Sequence, residues 1–290
     1  MKKLTISIVN YNAGQYLLSC LESLEKIEDE LGFDVFIIDN ASADGSIEKA
    51  KEKFQRFYYI LNKQNLGFGK AHNLVLKKAS TLYFLTLNPD CEVPKGTIQY
   101  LIDFMDKNPD VGVCSPRVEK ADGSLDKASH RGFPTPFASF LYYFLKNDSL
   151  YHLTNRDMEK PHEVDSVVGA FMLIRKSTLE EVGYFDEDFF LYGEDIDLCY
   201  RIKKAGFKVM YIPQVKIKHV KGISSGIKKH SRENSSAVTQ TKEMALNHFY
   251  STMKLFYKKH YEKNYPIFIN WLVYLGIDIK KWLAMRRKVV

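Results

Sequence analysis

The chain has 290 residues, of which 45% are hydrophobic, and it carries a formal net charge of +7. This length and composition supply enough apolar side chains for one large α/β domain or two small ones, which excludes a disordered chain. The basic excess suits a protein that meets phosphates on nucleotides, lipids or nucleic acids.

Cysteine usage and the N-terminus bear on the compartment. Four cysteines are scattered without a C-x-x-C pair, at Cys20, Cys91, Cys114 and Cys199. This pattern is typical of buried thiols in a reducing compartment rather than of a disulfide framework or a zinc site. The first apolar run ends at the polar Asn10 and is too short for a signal peptide. We therefore expect a cytoplasmic protein.

The N-terminal part of the chain alternates strand and helix patterns. Runs of β-branched and aromatic residues predict strands at residues 4–10, 34–40, 57–62 and 81–87. Segments with helical periodicity lie between these strands. Alternation of this kind predicts βαβ units, so the expected fold class is α/β with a mostly parallel central sheet.

Beyond Val111 the pattern is less regular. The dipeptide Asp122-Gly123 predicts a hairpin turn. A helix is expected from Glu194 to Ala205, because Gly206 follows it as a suitable C-cap. We expect a division into an α/β domain over residues 1–225 and a C-terminal helical extension over residues 226–290.

The C-terminal extension combines an apolar, aromatic-rich stretch with a basic end at residues 265–290. No uninterrupted run of about 18 apolar residues occurs, so a membrane-spanning helix is not predicted. The composition is that of an interfacial helix beside anionic lipid, at the inner face of the membrane. A terminal helix packed on its own domain explains the same pattern equally well, and both interpretations stay open.

Polar residues and glycines follow the first four predicted strands. They are Asn10 and Tyr11 after the first, Asp39 after the second, Asn65 and Gly67 after the third, and Asn88 and Asp90 after the fourth. Each group alone is ordinary turn chemistry. Ligands of open parallel sheets bind at the carboxyl ends of the strands, so four such groups in succession predict a binding site there.

Two of these carboxylates have a specific chemistry available to them. Asp39 can accept a hydrogen bond from the imide of a base such as uracil or thymine. Asp90 can present a hard oxygen ligand to Mg²⁺ or Mn²⁺ beside a diphosphate.

Five motifs occur in a defined order and spacing along the chain. They are SIVNYN, IIDNASADGS, NLGFGKAHN, LNPDCEV and YGEDIDLCYRIKKAGF. From Leu4 to Ser225 the chain resembles the family 2 glycosyltransferases, in particular the bacterial group with rhamnosyltransferases of polysaccharide assembly. The resemblance implies the GT-A fold, a single Rossmann-like nucleotide-binding domain, and inverting sugar transfer from a nucleoside diphosphate donor such as dTDP-rhamnose or a UDP-hexose.

The resemblance also implies roles for the residues at the strand ends. Asn10 and Tyr11 are expected to line the base, Asp39 to bond its imide, and Asn65 with Gly67 to approach the nucleotide. Asp90 is expected to hold the metal ion, with His219 as a second ligand. The family motif is often D-x-D, whereas this chain has Asn88 in the first position, so we assign Asn88 to the donor nucleotide.

Three acids, Glu194, Asp195 and Asp197, begin the predicted helix after Gly193. The helix macrodipole alone is enough to favour acids there. By the resemblance, Asp195 is the general base, Glu194 lies on the acceptor side, and Asp197 is a capping or structural acid. The aromatic residues just before them, 189–192, are expected to form an apolar side of the site.

Three further expectations follow from the resemblance. Gly169 is placed near the donor sugar, and Arg131 toward phosphate. Lys218, Lys221 and the glycine and serine residues after them are expected to close over the diphosphate.

Several alternatives stay open beside a transferase that acts on a saccharide or lipid-linked acceptor. A sugar-nucleotide pyrophosphorylase is disfavoured, because the NYNAGQ segment lacks the basic residues that its phosphate loop needs. A nucleotide-sugar-binding but inactive homologue and a basic nucleic-acid-binding or membrane-binding protein are the others. We expect no nucleic acid as a partner, since no basic stripe is interleaved with stacking aromatics. A homodimer is left open.

Overall fold

A computed structural model describes residues 2–27, 31–220 and 239–286. The strands are β1 Leu4–Asn10, β2 Phe33–Asp39, β3 Tyr58–Leu61, β4 Tyr83–Leu87, β5 Cys91–Glu92, β6 Val111–Glu119, β7 His130–Arg131, β8 His162–Glu163, β9 Ser166–Val167, β10 Phe171–Arg175 and β11 Lys208–His219. The helices are α1 Gln15–Glu25, α2 Ser46–Lys53, α3 Phe68–Leu76, α4 Thr97–Lys107, α5 Pro136–Phe144, α6 Lys176–Val182, α7 Glu194–Lys204, α8 Thr239–His260 and α9 Ile267–Arg286.

The central sheet has the strand order β3-β2-β1-β4-β10-β6-β11-β5, with β8 paired to β11. Strands β1 to β4, β6 and β11 run in one direction, and β5, β8 and β10 run in the other. The α/β class and the mostly parallel sheet are therefore confirmed. The chain leaves β1 toward β2 on one side and returns to β4 on the other, which makes the carboxyl ends of β1 and β4 a topological switch point.

Hydrophobic residues bury both faces of the sheet, so the long strands are apolar at nearly every position. In β10, Phe171 and Leu173 face a core that also contains Leu17, Leu21 and Leu101 from α1 and α4. The alternate positions of β10, with residues from α3, α6 and α7, face a second core on the other side of the sheet. All four cysteine side chains lie in the buried interior, as predicted.

Local predictions in the second half of the chain agree with the structure. The amide of Lys120 donates to the carbonyl of Ser124 at 2.9 Å, and Gly123 has φ +79°, as a hairpin turn requires. Helix α7 begins at Glu194 and ends within one residue of the prediction, where Gly206 adopts φ +93°.

The C-terminal helices differ in how they are covered. Helix α8 and the residue after it pack Phe256, Tyr257 and Tyr261 against Phe189 and Ile196 of the α/β domain. Helix α9 has no fully buried side chain and leaves large apolar residues exposed. No helix among the described residues combines the length and apolar character needed to cross a membrane.

Candidate active site

A cavity of about 790 Å³ opens at the carboxyl ends of β1 and β4. Ten of the twelve predicted site residues line it: Tyr11, Asn65, Gly67, Asn88, Asp90, Arg131, Gly169, Glu194, Asp195 and His219. Residues that are more than two hundred positions apart in sequence therefore lie at one place. Two predicted residues, Asn10 and Asp39, do not line the cavity.

Asn10 and Asp39 form a buried polar pair behind the cavity. The Asn10 side-chain amide donates to Asp39 Oδ1 at 2.8 Å, and it also lies 3.0 Å from each of the hydroxyls of Ser42 and Ser46. The amide of Ser42 donates to Asp39 Oδ2 at 3.0 Å. Asn10 thus fixes the orientation of the Asp39 carboxylate, while the bond from Asp39 to a base remains a prediction.

Asn40 is a cavity residue that the sequence prediction did not assign. Its side-chain amide lies 3.1 Å from both Asn65 Oδ1 and the carbonyl of Gly67. It therefore joins the ends of β2 and β3, and its only sequence signal is its place beside Asp39.

Gly67 has a packing role in addition to the predicted one. It has φ +81°, and an added Cβ would lie 2.2 Å from the carbonyl oxygen of Phe190. That carbonyl accepts a hydrogen bond from the amide of Phe68 at 2.9 Å. A glycine is needed here because the segment before α7 passes directly over it.

Asp90 and His219 meet as the metal prediction requires. Asp90 Oδ1 lies 3.1 Å from His219 Nε2, because β5 pairs with the end of β11 and brings His219 opposite Cys91. Two ligand atoms that bind one Mn²⁺ or Mg²⁺ at adjacent octahedral positions are separated by about 3 Å. A carboxylate oxygen suits Mg²⁺ and Mn²⁺, and imidazole is a common ligand of divalent transition metals, so the donor set fits a divalent ion.

The neighbours of this pair are less suited to a hard cation. The Cys91 thiol lies within 4.8 Å of both ligand atoms, but its sulfur donates toward the carbonyl of Ala170 at 3.5 Å. The side-chain amide of Asn88 lies 3.4 Å from His219 Nε2, the same nitrogen that would bind an ion. Because this chain has Asn88 where the family motif often has an acid, Asp90 is the single carboxylate of this group among the described residues.

Asp195 lies at the N-terminus of α7 and is surrounded by donors. Its Oδ2 accepts from the amide of Gly169 at 3.1 Å and from Arg131 Nη2 at 3.4 Å. Its Oδ1 accepts from the amide of Ile196 at 2.8 Å. The carboxylate is fixed in one orientation at the cavity surface, with only 9% of its side chain exposed.

Gly169 and Arg131 both donate hydrogen bonds to Asp195. An added Cβ at Gly169 would lie 2.9 Å from the ring of Phe68, so a side chain there would displace the residues around Asp195. Arg131 is held by the short β7–β9 pairing, opposite Ser166. Burial lowers the pKa of Arg131, but the charge of Asp195 together with Tyr151 and Asp126 outweighs that effect and raises the pKa.

Glu194 has a different environment from its neighbour. Burial, followed by the charge of Asp195, raises the pKa of Glu194 well above its usual value. Among the described residues its buried Oε2 has no hydrogen-bond partner. The two adjacent acids thus have contrasting surroundings: burial favours the uncharged form of Glu194, and Asp195 accepts from three donors.

Asp197 is a structural acid, as expected, and it binds the C-terminal extension. Its carboxylate accepts from Arg201 at 2.8 Å and lies 2.7 Å from His260 Nε2, at the end of α8. Burial opposes ionisation of Asp197, but the hydrogen bonds to His260 and Arg201 lower its pKa overall. The pair joins the helix of the predicted base to a residue 63 positions away.

The segment 189–193, which we call the catalytic loop, is strained and is held by α8. Tyr192 and Gly193 adopt successive left-handed conformations with φ 71° and 83°. Thr252 Oγ1 donates to the carbonyl of Leu191 at 3.2 Å. The Thr252 methyl carbon lies 2.4 Å from where a Cβ added at Gly193 would be. Phe189, expected on the apolar side of the site, is instead buried beneath the loop against α8.

Most of the segment that is predicted to close over the diphosphate lies outside the described residues. Lys218 lies at the end of β11 and is 3.9 Å from Glu92. Lys221 and the glycine and serine residues after it lie outside the described residues.

Comparison with known proteins identifies the family. The sequence profile described as "Glycosyl transferase family 2" matches residues 5–183, and one described as "N-terminal domain of galactosyltransferase" matches residues 150–225. The chain belongs to the family 2 glycosyltransferases. The family and the GT-A fold expected from the five motifs are confirmed.

Two curated relatives illustrate the range of this glycosyltransferase family. The N-acetylglucosaminyl-diphospho-decaprenol L-rhamnosyltransferase of Mycobacterium tuberculosis is 28% identical over 240 residues, which cover 77% of this chain and 78% of the relative. The poly-beta-1,6-N-acetyl-D-glucosamine synthase of Staphylococcus aureus is 26% identical over 226 residues, which cover 73% of this chain and 51% of the relative. The chain thus spans about half the length of the second relative.

Solved structures show the same fold at low sequence identity. GalNAc-T7 with UDP, GalNAc and Mn²⁺ has a TM-score of 0.57 and 17% identity, covering 90% of this chain and 58% of that one. S. aureus TarS 1–349 has a TM-score of 0.55 and 17% identity, covering 96% of this chain and 80% of that one. These similarities place the glycosyltransferase among GT-A proteins.

Proposed function

We propose that this glycosyltransferase transfers a sugar with inversion from a nucleoside diphosphate donor to a saccharide or lipid-linked acceptor in cell-surface polysaccharide assembly. The observation that carries the proposal is the fixed orientation of Asp195, whose carboxylate faces the cavity that also contains Asp90 and His219. Inverting transfer needs one base and a means of stabilising the departing diphosphate. The proposed base and the proposed holders of the cation line the same cavity, which supports the proposal.

The proposed donor is dTDP-rhamnose or a UDP-hexose. Tyr11, Asn40 and Asn65 line the cavity beyond the ends of β1, β2 and β3, beside the switch point, and this is the proposed place of the base and ribose. The name of the mycobacterial relative, an L-rhamnosyltransferase, supports rhamnose, and a TarS structure in complex with UDP-GlcNAc supports a UDP-sugar.

The proposed cofactor is Mg²⁺ or Mn²⁺, held by Asp90 and His219. A bound ion there would supply positive charge to the diphosphate as it leaves. Asp90 Oδ1 and His219 Nε2 lie 3.1 Å apart, and the Asn88 amide beside Nε2 would give up its contact to a bound ion.

Asp195 is the proposed general base. It takes the proton of the acceptor hydroxyl while that oxygen attacks the anomeric carbon, and the bond to the diphosphate oxygen breaks on the opposite face. The negative charge then lies on the nucleoside diphosphate. Gly169, Ile196 and Arg131 hold the base in place, which is the preorganisation that such a transfer requires.

Calorimetric titration with UDP, dTDP, GDP and CDP, each with and without Mn²⁺, tests the donor site. We expect a uracil or thymine diphosphate to bind, and Mn²⁺ to tighten binding by about tenfold or more in the wild type but not in Asp90→Ala. Glu92→Ala, an exposed acid two positions away, is the matched control. If no pyrimidine diphosphate binds, the proposed donor site is contradicted. If the affinity is the same with and without Mn²⁺, the proposed metal role is contradicted.

We also propose that the enzyme works in the cytoplasm at the inner face of a membrane, with α9 on the lipid surface. Trp271 and Trp282 are 64% and 51% exposed on α9, and Arg286 stacks on Trp282 at 3.8 Å. Sedimentation with phosphatidylglycerol vesicles should show binding that weakens about tenfold in the double variant Trp271→Ser, Trp282→Ser. Equal sedimentation of wild type and variant contradicts the proposal.

A further inference from the structure

The cavity does not end at Asp195 but continues between three helices. Beyond the catalytic loop it is lined by Phe140, Tyr143 and Phe144 of α5 and by Met253 and Phe256 of α8. Its remaining side is formed by α9, at Ile269, Leu272, Val273, Gly276, Ile277 and Lys280. We call this part of the cavity the apolar channel.

The arrangement of α9 follows from its sequence. The six lining residues recur at spacings of three and four, so they occupy one face of the helix. Lys280 Nζ donates to the carbonyl of Tyr143 at 3.0 Å and lies over the rings of Tyr143 and Phe144, which fastens α9 to the end of α5. The Tyr257 hydroxyl donates to Asn270 Oδ1 at 2.5 Å and fastens α9 to α8.

Helix α5 is apolar on more than the channel side. It begins with Thr135 as a side-chain cap and Pro136 in its first turn, and most of its remaining residues are aromatic. Phe137, Phe140 and Phe144 are between 49% and 64% exposed. Apolar side chains therefore continue from the channel to the protein surface.

The chemistry of the lining selects the occupant. A saccharide in the channel would bring many hydroxyl groups, and each would need a hydrogen-bond partner. The polar groups of the channel are few, and those of Tyr257 and Lys280 already bond to protein atoms. An apolar chain needs no such partners and gains by leaving water.

We propose that the apolar channel binds the hydrocarbon chain of a lipid-linked acceptor, with the acceptor sugar at Asp195 and the chain leaving between α5 and α9. The inference rests on the proposed function, because continuity with Asp195 makes the occupant the acceptor. It adds the binding site of the lipid and the residues that form it.

Gly276 gives a direct test. A Cβ added at Gly276 would meet no atom within 4 Å, so a larger side chain there can enter the channel without displacing the protein. We expect Gly276→Phe to weaken the binding of farnesyl phosphate by about tenfold or more, measured by calorimetry. Gly276→Ala, which leaves the channel open, should bind as the wild type does.

Controls separate a filled channel from a damaged protein. Leu275→Phe adds the same ring one position earlier, outside the channel lining, and should leave farnesyl phosphate binding unchanged. Ile277→Asn is a second channel variant that adds polarity rather than bulk, and it should also weaken binding. Pyrimidine diphosphate binding should stay unchanged in all variants, which reports on the donor site independently.

The outcomes distinguish the two proposals. If farnesyl phosphate binds the wild type and Gly276→Phe equally, or no more tightly than methyl phosphate, the lipid site is wrong whatever the donor titration gives. If a soluble N-acetylglucosamine oligomer binds instead and is lost in Gly276→Phe, the channel takes a saccharide and the inference is overturned. If lipid binding behaves as expected but no nucleotide binds, the channel stands and the transferase proposal fails.

Discussion

Replacing Asp195 with asparagine is expected to lower kcat for sugar transfer by roughly 1,000-fold, the effect of losing a general base. Asparagine keeps the size of the side chain, and its oxygen can still accept from the amide of Gly169, but it cannot take a proton from the acceptor. Transfer from the nucleotide sugar selected by titration should be measured together with nucleoside diphosphate affinity, which we expect to change less than about twofold. A kcat within about tenfold of the wild type contradicts the role of Asp195.

Glu194→Gln is the matched control for this experiment. Because burial raises the pKa of Glu194 and so favours its uncharged form, an amide resembles the form that burial favours, and most transfer should be retained. Because the pKa of Glu194 is raised in the folded protein, the unfolded chain releases this proton at a lower pH than the folded protein does. The free energy of unfolding therefore falls as pH rises above the ordinary carboxyl range. The Tm of Glu194→Gln should therefore exceed that of the wild type more at about pH 8 than at about pH 5. A wild type without transfer activity would favour the inactive-homologue alternative.

Replacing Asp197 with alanine is expected to lower the free energy of unfolding by about 3 kcal/mol or more. The change removes a carboxylate whose side chain is 1% exposed and leaves Arg201 and His260 without it. Because the folded pKa of Asp197 is lowered, its contribution is present above the ordinary aspartate range and is lost as pH falls through the folded value. Urea unfolding near neutral pH measures the loss.

The exposed Asp188 provides the comparison for Asp197. It lies 2.6 Å from Lys259 of the same helix α8, but its side chain is 69% exposed. Asp188→Ala should therefore cost less than about 1 kcal/mol. Equal losses for the two variants would mean that the bond between α7 and α8 is no stronger than a surface ion pair.

The meeting of the strand-end residues at one cavity was predictable because it depends on local rules. Strands were recognised from their apolar runs, and in a parallel sheet their carboxyl ends necessarily meet, so Asn65, Asn88 and Asp90 were placed together. The start of α7 was predicted for the same reason, from acids followed by helical periodicity.

The remaining features depend on contacts between distant parts of the chain. His260 lies 63 residues from Asp197, and no periodicity connects them. The amide bonds from Asn10 to Asp39 and the burial of Phe189 under α8 are likewise tertiary effects that a strand-end pattern does not reveal. The apolar channel needs α5, α8 and α9 side by side, so it could not be predicted from a C-terminal stretch that suited a membrane-surface helix and a helix packed on its own domain equally well.

The contact between Gly193 and Thr252 limits how such enzymes can diversify. A new acceptor specificity could arise by exchanging the C-terminal helices between relatives, since these helices form much of the channel. The incoming helix must carry a small side chain at the position of Thr252. The Thr252 methyl carbon already lies 2.4 Å from where a Cβ of Gly193 would be, so a larger side chain at position 252 has no room above Gly193. Recombination at this boundary is therefore permitted only between chains that share the same close approach of helix and catalytic loop.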